Sequence, residues 1–357
     1  MQLDIIRVDE NKKKIKPTDE STLGFGKIFS DHFFHMTHTT KLGWHKAMIE
    51  PYRALSLDPA AVVFHYAQEI FEGLKAYRGK DNGVYLFRSK DNFRRMNRSA
   101  VRVCMPELDI EFVNDALKKL VLIDQDWIPR SRGTAMYIRP TMIATEPSVS
   151  VKSSDEFLFY ILLGPAGNYY PEGFNPIKIY VSKKHIRAAK GGLGEAKTGA
   201  NYAASLYTAQ EAKKKGFTQV LWLDAFEHRY IEEVGAMNIF FRFKDEVVTS
   251  PLGGTILPGI TRDSIIQLLK HWGMKISERP ITIDEVAEGA QNGNLLEAFG
   301  AGTAAVISPV GEFSHNDQPI IVGQNKVGEL SKKLYDELLA IQYGEKPEPF
   351  GWVERIG

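Results

Sequence analysis

At 357 residues, with 43% hydrophobic and 25% charged side chains, the chain has the composition of a soluble globular protein and the length for two domains around a cleft. Lys and Arg number 45 against 44 Asp and Glu, so a net charge of +1 gives no overall field to recruit nucleic acid or an anionic lipid surface. The single cysteine, Cys104, excludes an internal disulfide and a cysteine metal cluster, and no metal site is expected. In chain order, the segment 1–10 lacks the apolar stretch of a secretory signal and the arginine-serine bias of a transit peptide. No later stretch is apolar for long enough to cross a bilayer, so a cytoplasmic location is expected. Apolar runs separated by turns at 61–65 and 84–88 lead into predicted helices over 92–103 and 112–123. Strands are predicted over 135–144 and 156–163. The first domain is therefore set at 1–164, and the Gly- and Pro-punctuated stretch 165–176 reads as an interdomain loop. A larger second domain, 177–357, shows strand-like segments at 177–181, 219–223, 228–231 and 236–241 around a helix over 202–215. Two more helices are predicted over 262–272 and 327–341. The pattern is α+β, mixing α and β elements without an internal repeat.

Four segments have the residue types that chemistry needs. In Gly191-Gly192-Leu193-Gly194-Glu195-Ala196-Lys197-Thr198, glycines crowd around one lysine. Gly191 precedes Lys197-Thr198 at the spacing of a nucleotide phosphate loop, yet Ala196 stands where that motif requires its second glycine. Taken alone, a flexible surface loop explains the segment better. Glu232 and Glu233 stand just before a strongly apolar strand; a solvated hairpin turn suits Glu232, whereas a buried Glu233 would need a partner. The stretch 250–264 ends as a helix begins, where free amides at Ile260 and Thr261 could seat a phosphate. Capping by Thr261 would look the same. Phe299-Gly300-Ala301-Gly302-Thr303-Ala304-Ala305 is a small-residue turn able to offer amides and one hydroxyl to an anion, or simply a site of tight packing.

The types and order of these segments together resemble the branched-chain aminotransferases of the fold-type-IV pyridoxal-phosphate class, over nearly the whole chain. The motifs that carry the resemblance are Phe71-Glu72-Gly73-Leu74-Lys75-Ala76-Tyr77, Tyr137-Ile138-Arg139-Pro140, Lys197 with Asn201-Tyr202, Glu233-Val234-Gly235, Leu257-Pro258-Gly259-Ile260-Thr261-Arg262 and Gly302-Thr303-Ala304. The resemblance implies a two-domain architecture with pyridoxal 5'-phosphate at the domain interface. It makes Lys197 the residue bound to the cofactor aldehyde and the base that moves the proton. Glu233 is similar to the carboxylate that pairs with the pyridine nitrogen, and Tyr202 to the phenol that bonds the ring oxygen. Arg95, the Ile260 and Thr261 amides and Thr303 resemble the phosphate cup.

The implied reaction is a ping-pong exchange of an amino group between L-leucine, L-isoleucine or L-valine and 2-oxoglutarate. One pocket must then accept both an apolar branched side chain and a carboxylate. The family pattern supplies an aromatic cage, matched by Phe25, Tyr66, Phe71, Tyr137 and Tyr169, with Arg139 as the arginine and Ala304 also at the substrate. Singly, each of these is more readily a core ring or a surface cation. Some animal members place a redox cysteine pair where this chain has Ala305 and Ser308, so that thiol switch should be absent. The resemblance implies amino acid and 2-oxo acid partners and a homodimer whose sites borrow residues from the partner's small domain. D-amino acid aminotransferases and aminodeoxychorismate lyases share the lysine and glutamate, and a phosphate-loop nucleotide-binding protein is the alternative from another class.

Overall fold

A computed structural model of the chain describes residues 1–167 and 173–357. The strands in chain order are β1 (Leu3–Ile5), β2 (His32–Thr39), β3 (Gly43–Pro51), β4 (Glu69–Phe71), β5 (Leu74–Arg78), β6 (Val84–Phe87), β7 (Ala135–Ala144), β8 (Glu156–Ala166), β9 (Ile177–Val181), β10 (Gln219–Leu223), β11 (Ile231–Val234), β12 (Met237–Phe243), β13 (Val247–Thr249), β14 (Ile276–Glu278), β15 (Leu295–Gly302), β16 (Val306–His315), β17 (Gln318–Ile321) and β18 (Val353–Arg355). The α-helices are α1 (Val62–Tyr66), α2 (Ser89–Arg102), α3 (Ile110–Ile123), α4 (Gly199–Lys214), α5 (Ile260–His271), α6 (Ile283–Gln291) and α7 (Glu329–Gln342). Two compact units result. One gathers Met1–Tyr169, Ala196–Gly199 and Leu339–Gly357, and the other Tyr170–Glu195 and Ala200–Leu338. The sequence reading placed both 196–199 and 339–357 in the second domain; here the first unit holds them.

The first unit is a sheet in the order β1-β3-β2-β8-β7-β5-β6-β18, with β4 also paired to β7. Strict alternation along β7 decides which face is core. Met136, Ile138 and Met142 are fully buried with Phe93, Met96, Leu117 and Leu120 of α2 and α3, so Tyr137, Arg139 and Thr141 stand on the opposite face. Helix α3 begins where the Asp109 carboxylate accepts the Phe112 amide at 3.2 Å, a side-chain N-cap. Pro140 would damage a continuous central ladder because it has no N–H to donate. It sits opposite the break between β4 and β5, where its carbonyl accepts the Glu72 amide at 2.8 Å.

The second unit is a sheet in the order β11-β10-β9-β16-β15-β12-β13-β14, with β17 on β16. An added pairing of β11 with β12 closes six of these strands into a ring. That pairing is made by a two-residue turn at Gly235-Ala236, where Gly235 adopts φ +58°, a conformation favoured by glycine at the first turn position. The turn lies later than expected: the strand read at 228–231 is β11, 231–234, and it includes both glutamates.

Candidate active site

In the first unit the segment 196–199 is fastened to β4 and α2. The Phe71 amide donates to the Lys197 carbonyl at 3.0 Å, the Thr198 hydroxyl donates to the Glu69 carbonyl at 2.7 Å, and the Lys197 amide donates to Ser99 Oγ at 2.9 Å. The backbone of Lys197 is thus fixed on both sides while its amine lies 4.9 Å from the centre of the Phe71 ring. The Thr198 hydroxyl is committed to a carbonyl, and so is not presented to a nucleotide-bound cation as a phosphate loop would require.

Around Phe71 the sheet face opposite the helices collects most of the expected cage. The Arg139 guanidinium lies 4.7 Å from the centre of the Phe71 ring and 5.3 Å from that of Tyr137, and Nη2 donates to the Tyr137 hydroxyl at 3.0 Å. Phe25 meets Tyr137 edge to face at 4.7 Å. Gly73 is required by space, since a β-carbon there would collide with the Tyr137 hydroxyl. Lys75, directly across the ladder from Tyr137, shares this face. It was not singled out from sequence, although alternation through 69–75 could have found it. Burial pulls its amine down to about 8.

One expected cage residue among those described is not in this cluster. Tyr66 ends α1 before a left-handed Ala67 (φ 50°) turns the chain; it is 42% exposed and its hydroxyl donates to the Val149 carbonyl. Tyr169 lies outside the described residues. Arg95 projects from α2 to the helix side, where Nε and Nη2 each donate at 2.7 Å to the two oxygens of the fully buried Glu72. That bidentate pair fixes the guanidinium, one helical turn from Ser99.

In the second unit the buried Glu233 has a buried cation beside it: Arg187 Nη1 is 2.7 Å from Oε2. The same arginine donates to the carbonyls of Gly194 (3.3 Å) and Thr255 (2.9 Å). Asn238, facing Glu233 across β11 and β12, donates to its Oε1 at 3.1 Å and to the Leu257 carbonyl at 3.0 Å. That contact ties the carboxylate to the approach to α5. The helix N-cap there is Gly259, with no side-chain cap, which removes the capping explanation for Thr261 and leaves a helix start suited to an anion. Thr303 and Ala304 form the turn between β15 and β16, and Tyr202 lies half-buried in the first turn of α4. Glu232 is not a solvated turn residue: it is 7% exposed, and burial raises its carboxyl while a bond to Thr255 and the Arg187 charge pull it back. Arg187 and Asn238 had no distinguishing signal in sequence, because their role depends on partners far along the chain.

Each unit by itself has groups that suit pyridoxal phosphate: the first a lysine amine on a fastened backbone, the second a buried carboxylate within an Arg and Asn frame and a helix start without a side-chain cap. The chain belongs to the class IV aminotransferase family, whose description, amino-transferase class IV, matches residues 69–313. Within that family it is similar over nearly its whole length to proteins named as branched-chain aminotransferases. It is 51% identical over 351 residues to branched-chain-amino-acid aminotransferase 2 of Bacillus subtilis (strain 168), covering 98% of this chain and 97% of that one. It is 50% identical over 344 residues to branched-chain-amino-acid transaminase 1 of the same organism, covering 96% of each. Among solved structures, the branched-chain amino acid aminotransferase from Thermobaculum terrenum in PLP-form shares the fold, with a TM-score of 0.76 at 22% identity over 93% of this chain and 100% of that one.

Proposed function

We propose that the protein transfers amino groups reversibly between L-leucine, L-isoleucine or L-valine and 2-oxoglutarate, with pyridoxal 5'-phosphate as cofactor. The observation that carries this reading is the grouping on Phe71, where aromatic rings, a guanidinium and a fixed primary amine meet. An apolar side chain finds rings there, and a second carboxylate finds a cation. The names of relatives about 50% identical over almost the whole chain support the substrate class. When bound, the cofactor supplies an electrophilic carbon for an amine and a sink for the electrons left when the substrate loses its α proton. Lys197 is the residue to bond it and to carry that proton. Glu233, framed by Arg187 and Asn238, would hold a proton on the ring nitrogen, and Tyr202 would bond the ring oxygen. Arg95, the Ile260 and Thr261 amides and Thr303 would hold the phosphate, with Ala304 beside the substrate.

A homodimer in the cytoplasm completes the reading. The exposed Tyr66 supports it, as a ring available to a second subunit's site. Gel filtration of the active protein measures the assembly, and an active monomer would refute it. Among the described residues no helix is long and apolar enough to cross a membrane. The first test is the visible spectrum of the protein with pyridoxal phosphate, before and after L-leucine alone. Conversion of the coloured band to the amine form supports the reading; a band answering only to a D-amino acid assigns the protein to a sister family. Arg139→Ala should impair 2-oxoglutarate use more than leucine use, by roughly tenfold or more for one lost charge-assisted contact. Equal losses would remove its special role.

A further inference from the structure

Two opposite charges on the substrate-facing sheet face are left unmatched. Arg139 Nε is buried without a hydrogen-bond partner among the described residues, and the only acceptor its guanidinium meets there is the neutral Tyr137 hydroxyl. Glu69, at the start of β4, faces Ile143 across the ladder, so the two-residue alternation of β7 puts it on the face that bears Thr141 and Arg139. Its carboxylate makes no hydrogen bond or ion pair among the described residues, though it is half-buried. Burial raises the Glu69 carboxyl, and the Arg139 charge is what opposes that rise, so the two groups sense each other. The guanidinium leans toward β4, because it rests over the Phe71 ring two residues along from Glu69.

The chain makes room for this carboxylate. A β-carbon on Gly199 would collide with Glu69 Oε1, and Gly199 does not have the positive φ that would otherwise call for glycine. A side chain at 199 would displace the carboxylate from this place. A lone half-buried acid costs stability unless it offsets a neighbouring charge.

We infer that Glu69 is the counter-charge of Arg139 and sets the balance between apolar and acidic substrates. The inference rests on the substrate pocket proposed above. Leucine has no distal carboxylate to offer the guanidinium, and Glu69 offsets a cation that would otherwise stand uncompensated beside an apolar side chain. With glutamate or 2-oxoglutarate bound, the distal carboxylate takes the free donors of Arg139, and the Glu69 charge opposes it. Glu69 is thus a specificity-determining residue that acts through Arg139.

The test compares L-leucine and L-glutamate as amino donors, each varied separately with the holoenzyme. Glu69→Gln should lower the KM for glutamate and raise that for leucine, roughly tenfold in the ratio, with both kcat values little changed; a tenfold ratio is one pKa unit of interaction. Glu69→Asp, which keeps the charge, should keep the wild-type ranking. In an Arg139→Ala background Glu69→Gln should leave the ratio where Arg139→Ala alone set it. Equal changes on both donors, or the same shift without Arg139, would overturn the inference and leave Glu69 a structural carboxylate against Gly199 at the start of α4. If Arg139→Ala alone does not penalise glutamate selectively, the pocket assignment itself fails, whatever Glu69→Gln does.

Discussion

Lys75 shows what a single buried amine costs and how that cost can be read. Burial lowers it to about 8 from an ordinary 10.5. Between those values the unfolded chain holds a proton that the folded chain has released, so folding grows more favourable as pH rises from about 8 toward 10.5. Below about 8 the charge is buried at full cost, on the order of a few kcal/mol. Lys75→Met is therefore expected to raise the Tm at neutral pH, with the gain over wild type shrinking as pH approaches 10.5. A gain independent of pH would mean packing, and not charge, sets the difference. At this scale the sequence singled out Lys197 and Arg139 through the motifs that hold them, and the structure brings both side chains to the Phe71 ring. The sequence was blind to Arg187, which meets Glu233 only because the fold brings residues 46 positions apart within 2.7 Å.

Whole elements were legible where apolar residues follow one period. Strands over 135–144, 177–181 and 219–223 match their expected bounds, and α3 runs 110–123. The hairpin of β2 and β3 was not recognised because histidines and threonines occupy five of the eight positions of β2, although Phe34 and Met36 keep a core-facing alternation. The end of β15, from Phe299 to Gly302, was read as part of a turn, since Gly300, Ala301 and Gly302 look like punctuation until β12 and β16 are known to flank them. The break between β4 and β5 has its own consequence. Gly73→Ala would push the Tyr137 hydroxyl away from Arg139. The expected outcome is a higher KM for 2-oxoglutarate with a loss of about 1–3 kcal/mol in stability from overpacking. Unaltered kinetics with the stability loss would show that the hydroxyl does not position the guanidinium.

At the scale of the molecule, the family and its α+β character could be read from sequence, but the membership of each unit could not, because no local pattern says that the chain end returns to the first sheet. It does so through β18 on β6, with Trp352 buried at 6% exposure beneath Arg88 (5.3 Å) and stacked on Phe350 at 4.1 Å. The backbone joins the same edge: Arg88 N donates to the Trp352 carbonyl at 2.8 Å and Val84 N to the Gly357 carbonyl at 3.0 Å. Trp352→Ala is expected to cost about 3–5 kcal/mol. Hydrogen exchange should then quicken at residues 84–88, far back in the sequence, and exchange confined to the C-terminus would contradict that coupling.

The same returning strand bears on how the protein is made. A chain emerging from the ribosome normally completes its N-terminal domain first. Here the sheet begun by residues 3–5 waits for residues 353–355, so the unit begun first is completed only after the strands of the second unit have been made. Until then its β6 edge stands unpaired, a site where a nascent chain is open to wrong partners and to chaperones.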